Sequence, residues 1–260
     1  MKEYLDFNAT SPVSEETAKY MLQYLTEDFG NAGSRTHQTG SNAKKEVIES
    51  RESISKIFDA DFSELIFTSG ATESNNLAIF GLKKHALKNG KNHIITSEIE
   101  HKAILDPVKE MESQGFKVSY IKPNMDGVIK TSDVMEAVSE KTFLVSIMHA
   151  NNETGVINNI NEIFSKVKDE DVSIFTHSDM AQTFAKTNLD FASKNIDMAS
   201  ISAHKFFGPK GIGGLLTRKN DGRSLPLSPL MYGGGQEKGI RPGTLPVHLI
   251  AGMAHACNKS

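Results

Sequence analysis

Polar and glycine-rich segments follow five apolar stretches of this sequence, and these segments contain the residue types that could do chemistry. Lys205 lies between an apolar stretch and the aromatic pair Phe206 and Phe207. Because burial disfavours the charged amine, a lysine in such a place has a lowered pKa and can form a Schiff base with a carbonyl group. A surface lysine in a turn is the alternative, and the two aromatic residues argue against full exposure.

Asp179 follows another apolar stretch, where a carboxylate is costly unless it meets a partner. A protonated pyridine nitrogen is one such partner, and a helix-capping role fits the local sequence equally well. Upstream, Gly70 precedes Ala71 and Thr72 at the start of a predicted helix. The free amides of such a helix start, with the threonine hydroxyl, form an anion site, although a plain capped helix is the alternative there.

His101 and Asn152 follow two further apolar stretches. The histidine could stack on a flat cofactor or transfer protons, and the asparagine could bind a ring substituent. Each residue is also ordinary in isolation, as a surface or capping histidine and as part of a turn. The set is more informative, because an anion site, a stacking ring, an acid and a lysine at one sheet edge match pyridoxal 5′-phosphate.

The elements that must position these residues alternate along the chain. The sequence predicts strands over Glu64–Thr68, His93–Ser97, Lys117–Ile121, Phe143–Met148, Val172–His177, Ile196–Ser202 and Gly213–Thr217. It predicts helices over Ser14–Glu27, Ser41–Phe58, Ala71–Asn89, Lys102–Gln114, Thr131–Val138 and Asn161–Val167, and a further helical pattern from Leu245. This alternation predicts an α/β fold with a mostly parallel, seven-stranded sheet between helices, in which the strand ends share one edge.

Composition excludes several classes of partner. The net charge is −3 and no basic block stands out, so we expect no nucleic-acid partner. No apolar run approaches the ~20 residues that span a bilayer, so we expect no membrane partner. A single cysteine, Cys257, excludes an internal disulfide and a cysteine-based metal site, and we expect no metal. Without a signal-peptide pattern, we infer a cytoplasmic protein.

An ordered set of motifs runs along nearly all of the 260 residues. The motifs are Tyr4-Leu5-Asp6 with Ala9-Thr10, Phe29-Gly30-Asn31 with Ser34-Arg35 and His37, Phe67-Thr68-Ser69-Gly70-Ala71-Thr72-Glu73, Glu100-His101-Lys102-Ala103, Asn151-Asn152-Glu153-Thr154-Gly155, Ser202-Ala203-His204-Lys205, Gly208-Pro209-Lys210-Gly211, Gly233-Gly234-Gly235-Gln236-Glu237 and Arg241-Pro242-Gly243-Thr244. This set resembles the cysteine desulfurases, which are fold-type I pyridoxal phosphate enzymes of the aminotransferase class V group. The resemblance implies the large domain of that fold.

The resemblance also implies roles for single residues. Lys205 would carry the cofactor as a Schiff base and move the α-proton, and His101 would stack on the ring and assist proton transfer. Asp179 would pair with the pyridine nitrogen, and Gln182 would hydrogen-bond the ring hydroxyl. Asn152 would contact the ring substituent or the substrate.

The phosphate group of the cofactor would have its own set of partners. The resemblance assigns this role to Ala71, Thr72, Ser202 and His204. Thr244 matches a residue that reaches the phosphate of the other subunit, so a homodimer is implied.

The activity implied by the resemblance is removal of sulfur from L-cysteine, which gives L-alanine and a persulfide on an enzyme cysteine. Sulfur-acceptor or scaffold proteins would then take the sulfur to iron–sulfur cluster assembly or tRNA thiolation. The nucleophilic cysteine and a carboxylate-binding arginine lie beyond the segment that matches Arg241–Thr244, so we expect this chain to lack them. Cys257 does not match the nucleophile and is predicted to be buried in a helix.

The expected domain organisation follows from the same match. Residues 1–13 are predicted to run toward a small domain, 14–244 to form the large domain, and 245–260 to begin a linker helix to a C-terminal domain that is absent. Two other functions stay open. One is a related pyridoxal phosphate lyase acting on selenocysteine or cysteine sulfinate, and the other is an inactive cofactor-binding scaffold or fragment.

Overall fold

Seven strands in the described part of the chain form one sheet. A computed structural model describes residues 3–187, 195–219 and 222–259. The strands are β1 Leu65–Thr68, β2 His93–Ser97, β3 Lys117–Ile121, β4 Thr142–Ser146, β5 Phe175–Asp179, β6 Met198–Ser202 and β7 Gly213–Thr217. Their order across the sheet is β1-β7-β6-β5-β4-β2-β3. Only β7 runs antiparallel to its neighbours, so the prediction of a mostly parallel sheet is confirmed.

The helices that cover the sheet match the predicted ones to within a few residues. They are α1 Glu15–Thr26, α2 Gln38–Ile57, α3 Ala71–Lys88, α4 Lys102–Ser113, α5 Thr131–Ala137, α6 Ile160–Glu170 and α7 Val247–Cys257. The largest shift at a start is in α2, which begins three residues before the prediction. His37 precedes it, and the His37 imidazole accepts a hydrogen bond from the Gly40 amide and so caps the helix earlier.

Alternate residues of the central strands point into two separate cores. Ile94 and Leu144 pack with α3 and α4, whereas the next residues, Ile95 and Val145, pack with α2, α6 and α7. This two-residue period explains why every residue of the inner strands β2 and β4 is buried: both faces of the sheet are covered. The helices therefore leave the strand ends as the place where a ligand can approach.

The fifth strand begins later than the sequence predicted. Val172 was expected to start it, but the strand begins at Phe175 and runs through Asp179. The carboxylate of Asp171 accepts a hydrogen bond from the Ser173 amide, and the Ile174 amide bonds the Asp171 carbonyl oxygen. This turn uses the residues that were assigned to the strand. Asp179 is consequently the last residue of β5 and is placed at the sheet edge by the strand itself.

The N-terminal segment packs back onto the sheet edge. The amide and the hydroxyl of Ser11 both donate to the carbonyl oxygen of His204, at 2.9 Å each. The Phe207 amide in turn donates to the Ser11 hydroxyl oxygen at 2.7 Å. The predicted division into 1–13, 14–244 and 245–260 includes residues outside the described ranges and stays a prediction. None of the described helices is long and apolar enough to cross a membrane.

Candidate active site

A cleft of about 720 Å³ lies at the carboxyl ends of the strands. Nine of the ten residues predicted to form the site line it: Ala71, Thr72, His101, Asn152, Asp179, Gln182, Ser202, His204 and Lys205. They lie at or after the carboxyl ends of β1, β2, β4, β5 and β6. The parallel arrangement of these strands brings residues together that are up to 134 positions apart in the sequence.

Lys205 ends a short 3-10 turn, Ala203–Lys205, that follows β6 directly. Its side chain is half-buried, and its amine donates hydrogen bonds to the backbone carbonyl oxygens of Asn8 and Ala9 at 2.5 and 3.1 Å. Burial lowers the pKa of this amine, although the nearby carboxylates of Asp179 and Asp6 act in the opposite direction. The lowered pKa favours the neutral amine that can attack a carbonyl carbon.

Asp179 lies in the same cleft and is only 6 % exposed. One of its carboxylate oxygens accepts from the Asn75 side-chain amide at 2.7 Å, and the other accepts from the Ala181 backbone amide at 2.9 Å. The second bond is a local turn contact; residues 181–187 form turns and a bend, not a helix, so the helix-capping alternative for Asp179 is wrong. The first bond orients the carboxylate from α3, 104 positions away, and was not foreseen.

The start of α3 lines the cleft and has the features of an anion site, so we call it the anion-binding end of the cleft. Gly70 precedes the helix with a φ of +150° and offers no side chain to cap it, so the first amides of α3 remain available to a ligand. Gly213 keeps this turn close to β7, because a Cβ there would lie 2.4 Å from the Ile201 carbonyl oxygen and 2.6 Å from the Gly70 Cα atom. The side chains of Ser202 and His204 line the same cleft.

Glu73 joins this helix start to a distant loop. Its carboxylate accepts from the Ser69 amide at 2.5 Å and from the Arg241 guanidinium at 2.9 Å. Burial opposes ionisation of Glu73, but these hydrogen bonds outweigh it and hold the pKa of the carboxyl below its usual value. The contact places the loop that carries Thr244 beside the anion-binding end, whereas Thr244 itself does not line the cleft of its own chain. Its predicted reach into a second subunit stays a prediction.

His101 both caps a helix and lines the cleft. Its ring is exposed, and Nδ1 accepts a hydrogen bond from the Ala103 amide at 3.0 Å at the start of α4. A neutral ring that accepts at Nδ1 carries its proton on Nε2. The Asn152 side-chain amide donates to Glu153 at 2.9 Å, and the Gln182 amide donates to the Asn8 carbonyl oxygen at 3.0 Å.

Several site residues escaped the sequence analysis. Asp6, Asn8, Ala9 and Thr10 form one wall of the cleft, and the Thr10 hydroxyl contacts the His204 ring at 3.1 Å. The motif Tyr4-Leu5-Asp6 with Ala9-Thr10 indicates in the sequence that this segment matters, but it gives these residues no role in the site. Asn75 and Glu100 were also missed, because an amide on a helix and an acid in a loop give no local indication of burial.

Cys257 is buried in α7 and does not line the cleft. Burial raises the pKa of its thiol, so the reactive thiolate is disfavoured. The prediction that this cysteine is a small buried residue is confirmed.

The fold and the cleft define an α/β protein of the class whose ligand site lies at the carboxyl ends of a mostly parallel sheet. Comparison with known proteins makes this specific: a sequence profile of the aminotransferase class-V family matches residues 3–258, and the chain belongs to that family. It is 46 % identical over 253 residues to the cysteine desulfurase IscS of Rickettsia africae, which covers 97 % of this chain. It is also 46 % identical over 255 residues to the cysteine desulfurase IscS of Buchnera aphidicola. The resemblance seen in the motifs is therefore confirmed.

Solved structures agree with the fold. A NifS-like protein superposes over the whole chain with a TM-score of 0.94 at 39 % sequence identity, and the match covers 69 % of that protein. SspA, solved in complex with cysteine, superposes over 99 % of this chain with a TM-score of 0.93 at 41 % identity, covering 72 % of SspA. The 260 residues span 60 % of the length of the Rickettsia africae relative.

Proposed function

We propose that this chain is the pyridoxal phosphate-binding part of a cysteine desulfurase. The observation that carries the proposal is the pairing, in one cleft, of a lysine whose pKa burial lowers with a buried, hydrogen-bonded aspartate. The relatives named cysteine desulfurase and the neighbour solved with cysteine support L-cysteine as the substrate.

The residues present fit pyridoxal phosphate. At the uncapped start of α3, Ala71 and Thr72 provide the donors that a phosphate group requires. Gly70 and Gly213 leave space beside them, because neither carries a side chain. Ser202 and His204 extend this donor set. Asp179 supplies the carboxylate that a protonated ring nitrogen requires. Bound there, the cofactor supplies an aldehyde for the amine and a ring that withdraws electrons.

The other groups of the cleft act around that ring. Lys205, once neutral, can bond the cofactor and later accept the proton of the substrate α-carbon. His101 presents an exposed imidazole in the cleft lining and can stack and exchange a proton at Nε2. Gln182 is within the lining and can reach the ring hydroxyl, and Asn152 can reach the ring substituent or the substrate.

The single cysteine of this sequence, Cys257, is buried in α7 and does not line the cleft. Sulfur transfer therefore requires a thiolate from outside the described cleft lining. We propose that the full reaction gives L-alanine and a persulfide, which passes to sulfur-acceptor or scaffold proteins that serve iron–sulfur cluster assembly or tRNA thiolation. We also propose a homodimer, in which Thr244 reaches the phosphate bound by the second subunit. The cytoplasmic location inferred from the sequence stays a prediction.

Absorbance spectroscopy tests the cofactor site directly. The wild-type chain, Lys205→Ala and the control Lys122→Ala are each mixed with pyridoxal phosphate, reduced with borohydride and digested. We expect a visible band and a reduced label on Lys205 in the wild type and the control, and neither in Lys205→Ala. A label spread over several exposed lysines would contradict the site.

Product analysis separates the reaction types. Cysteine is added to the loaded chain with and without an added thiol, and alanine, sulfide and protein-bound persulfide are measured. Turnover that depends on the added thiol supports the desulfurase. Thiol-independent release of the chalcogen from cysteine, selenocysteine or cysteine sulfinate would instead favour the lyase, and tight cofactor binding without turnover would favour a scaffold.

A further inference from the structure

Glu100 is a buried acid directly before His101, and it lies beneath the cleft rather than in its lining. It is 5 % exposed. One carboxyl oxygen accepts hydrogen bonds from the Ser97 hydroxyl at 2.7 Å and from the Met148 backbone amide at 2.8 Å. The other oxygen is buried and has no hydrogen-bond partner among the described residues.

These two bonds join three parts of the site. Ser97 ends β2, and Met148 follows β4 and lines the cleft. Glu100 directly precedes His101, which also lines the cleft. Through its one accepting oxygen, Glu100 therefore connects the turn that carries His101 to the neighbouring strand end. Asn151 adds a second tie to the same turn, because its side-chain amide donates to the Ile99 carbonyl oxygen at 2.8 Å.

The surroundings favour the neutral acid. Burial raises the pKa of Glu100 to about 8, the two hydrogen bonds act against that rise, and the charge of Asp179 adds to it. Two histidines on adjoining segments offer no positive charge, because burial lowers the pKa of His149 to about 4 and that of His177 to about 3. An unpaired carboxylate oxygen in this position would carry a large desolvation cost.

We propose that Glu100 is a positioning residue of the active site, which acts as an uncharged clasp that holds the His101 turn against the Met148 segment and leaves Asp179 as the acidic charge beneath the cofactor. The cofactor part rests on the proposed function. The clasp itself does not, since its contacts lie within this chain. A charged Glu100 would add a second negative group near the ring nitrogen, and a missing one would free the histidine turn.

Two substitutions at Glu100 distinguish the effect of its hydrogen bonds from the effect of its charge. Glu100→Gln keeps an accepting oxygen and is neutral, whereas Glu100→Ala leaves the Ser97 hydroxyl and the Met148 amide without that partner. Glu98→Ala is the matched control, because Glu98 carries an acid two positions away and is exposed.

In the cofactor-loaded chain we expect Glu100→Gln and Glu98→Ala to keep the visible circular dichroism of the cofactor and the pH midpoint of its absorption band. Glu100→Ala should weaken that dichroism and raise the dissociation constant for pyridoxal phosphate by about tenfold, the size expected from losing one or two hydrogen bonds. A fall of the band midpoint in Glu100→Gln would overturn the proposal, because it would show that a negative charge had been removed.

Hydrogen exchange of the cofactor-free chain tests the clasp independently. Glu100→Ala should exchange faster over residues 100–104 and 147–149, whereas Glu100→Gln should match the wild type. Equal exchange in all of these variants would overturn the clasp, even where the cofactor binds. Absence of a cofactor band in the wild type would refute the proposed function and leave this exchange result to decide the role of Glu100. If Glu100→Ala does not fold, faster exchange or a shifted midpoint in Glu100→Gln still overturns the proposal.

Discussion

The amine of Lys205 donates a hydrogen bond to the backbone carbonyl oxygen of Asn8, 2.5 Å away, although 197 positions separate the two residues. The N-terminal segment is thus a wall of the cleft and holds the lysine before any ligand reaches it. Together with burial, this contact defines the environment in which, under the proposed function, Lys205 must lose its proton and exchange its hydrogen bonds to carbonyl oxygens for a covalent bond to the cofactor.

The pH dependence of cofactor attachment follows from the lysine's environment. Burial lowers the pKa of Lys205 below the usual 10.5, so the neutral amine forms at lower pH than it does on a surface lysine. We expect the rate of pyridoxal phosphate attachment to rise with pH and to level off at a pH below 10.5, as stopped-flow absorbance can measure. A rate that tracks an ordinary surface lysine would contradict this environment.

The lowered pKa of Lys205 also makes the stability of the folded state depend on pH. The folded state binds the proton of Lys205 less tightly than the unfolded state does, so this residue contributes a penalty below its folded pKa that is relieved as pH rises toward 10.5. Denaturant unfolding at several pH values should show a smaller gain at high pH in Lys205→Met than in the wild type. A matched substitution of the exposed Lys122 should leave the wild-type pH dependence unchanged.

Replacing Asp179 with asparagine removes the charge and keeps an oxygen that can accept from the Ala181 amide. Because charge-assisted hydrogen bonds contribute roughly 1.5–3 kcal/mol, we expect cofactor affinity to fall by about 10- to 100-fold. Exchange of the α-proton of alanine with solvent should fall further, since the ring nitrogen would lose its acid partner. Equilibrium dialysis and proton NMR measure the two effects, and unchanged proton exchange would refute the assigned role.

Gly213 should tolerate no side chain. A Cβ there would lie 2.4 Å from the Ile201 carbonyl oxygen and 2.6 Å from the Gly70 Cα atom, and both neighbours are backbone. Gly213→Ala is therefore expected to destabilise the fold by about 1–3 kcal/mol, the usual range for overpacking, and to displace the anion-binding turn. Gly235→Ala is the control, because an added Cβ there meets nothing within 4 Å. Unfolding midpoints and phosphate-ion binding report the two effects.

The ion pair of Arg51 and Glu237 holds the glycine-rich loop, residues 233–237, against β1. Glu237 also accepts from the Phe67 amide at 2.8 Å, and its side chain is 3 % exposed. Removing one partner leaves a buried charge, so Arg51→Met should cost roughly 3–5 kcal/mol. The double variant Arg51→Met with Glu237→Gln should recover part of that loss. A double-variant cycle in urea measures the coupling, and strictly additive losses would show that the pair is not coupled.

Much of the fold was predictable from local sequence. The stretches His93–Ser97 and Lys117–Ile121 match their strands residue for residue, because each is rich in strand-forming residues. The bounds of β4 and β6 differ from the prediction by at most two residues. The largest departure is at Val172, where a turn at Asp171 uses residues that also suit a strand. The residue types that could do chemistry at the strand ends were also predictable, because a glycine, a histidine, an acid and a lysine each follow a predicted strand.

The sequence by itself determined which strands exist, which residues follow them and which family the ordered motifs indicate. Only the tertiary structure decided that Asn8 reaches Lys205, that Asn75 orients Asp179, that Glu100 is buried beneath His101 and that β7 runs antiparallel. The physical reason is that a propensity or a turn is set by residues a few positions apart. Burial and hydrogen-bond partners, by contrast, are set by which distant segments the sheet brings together.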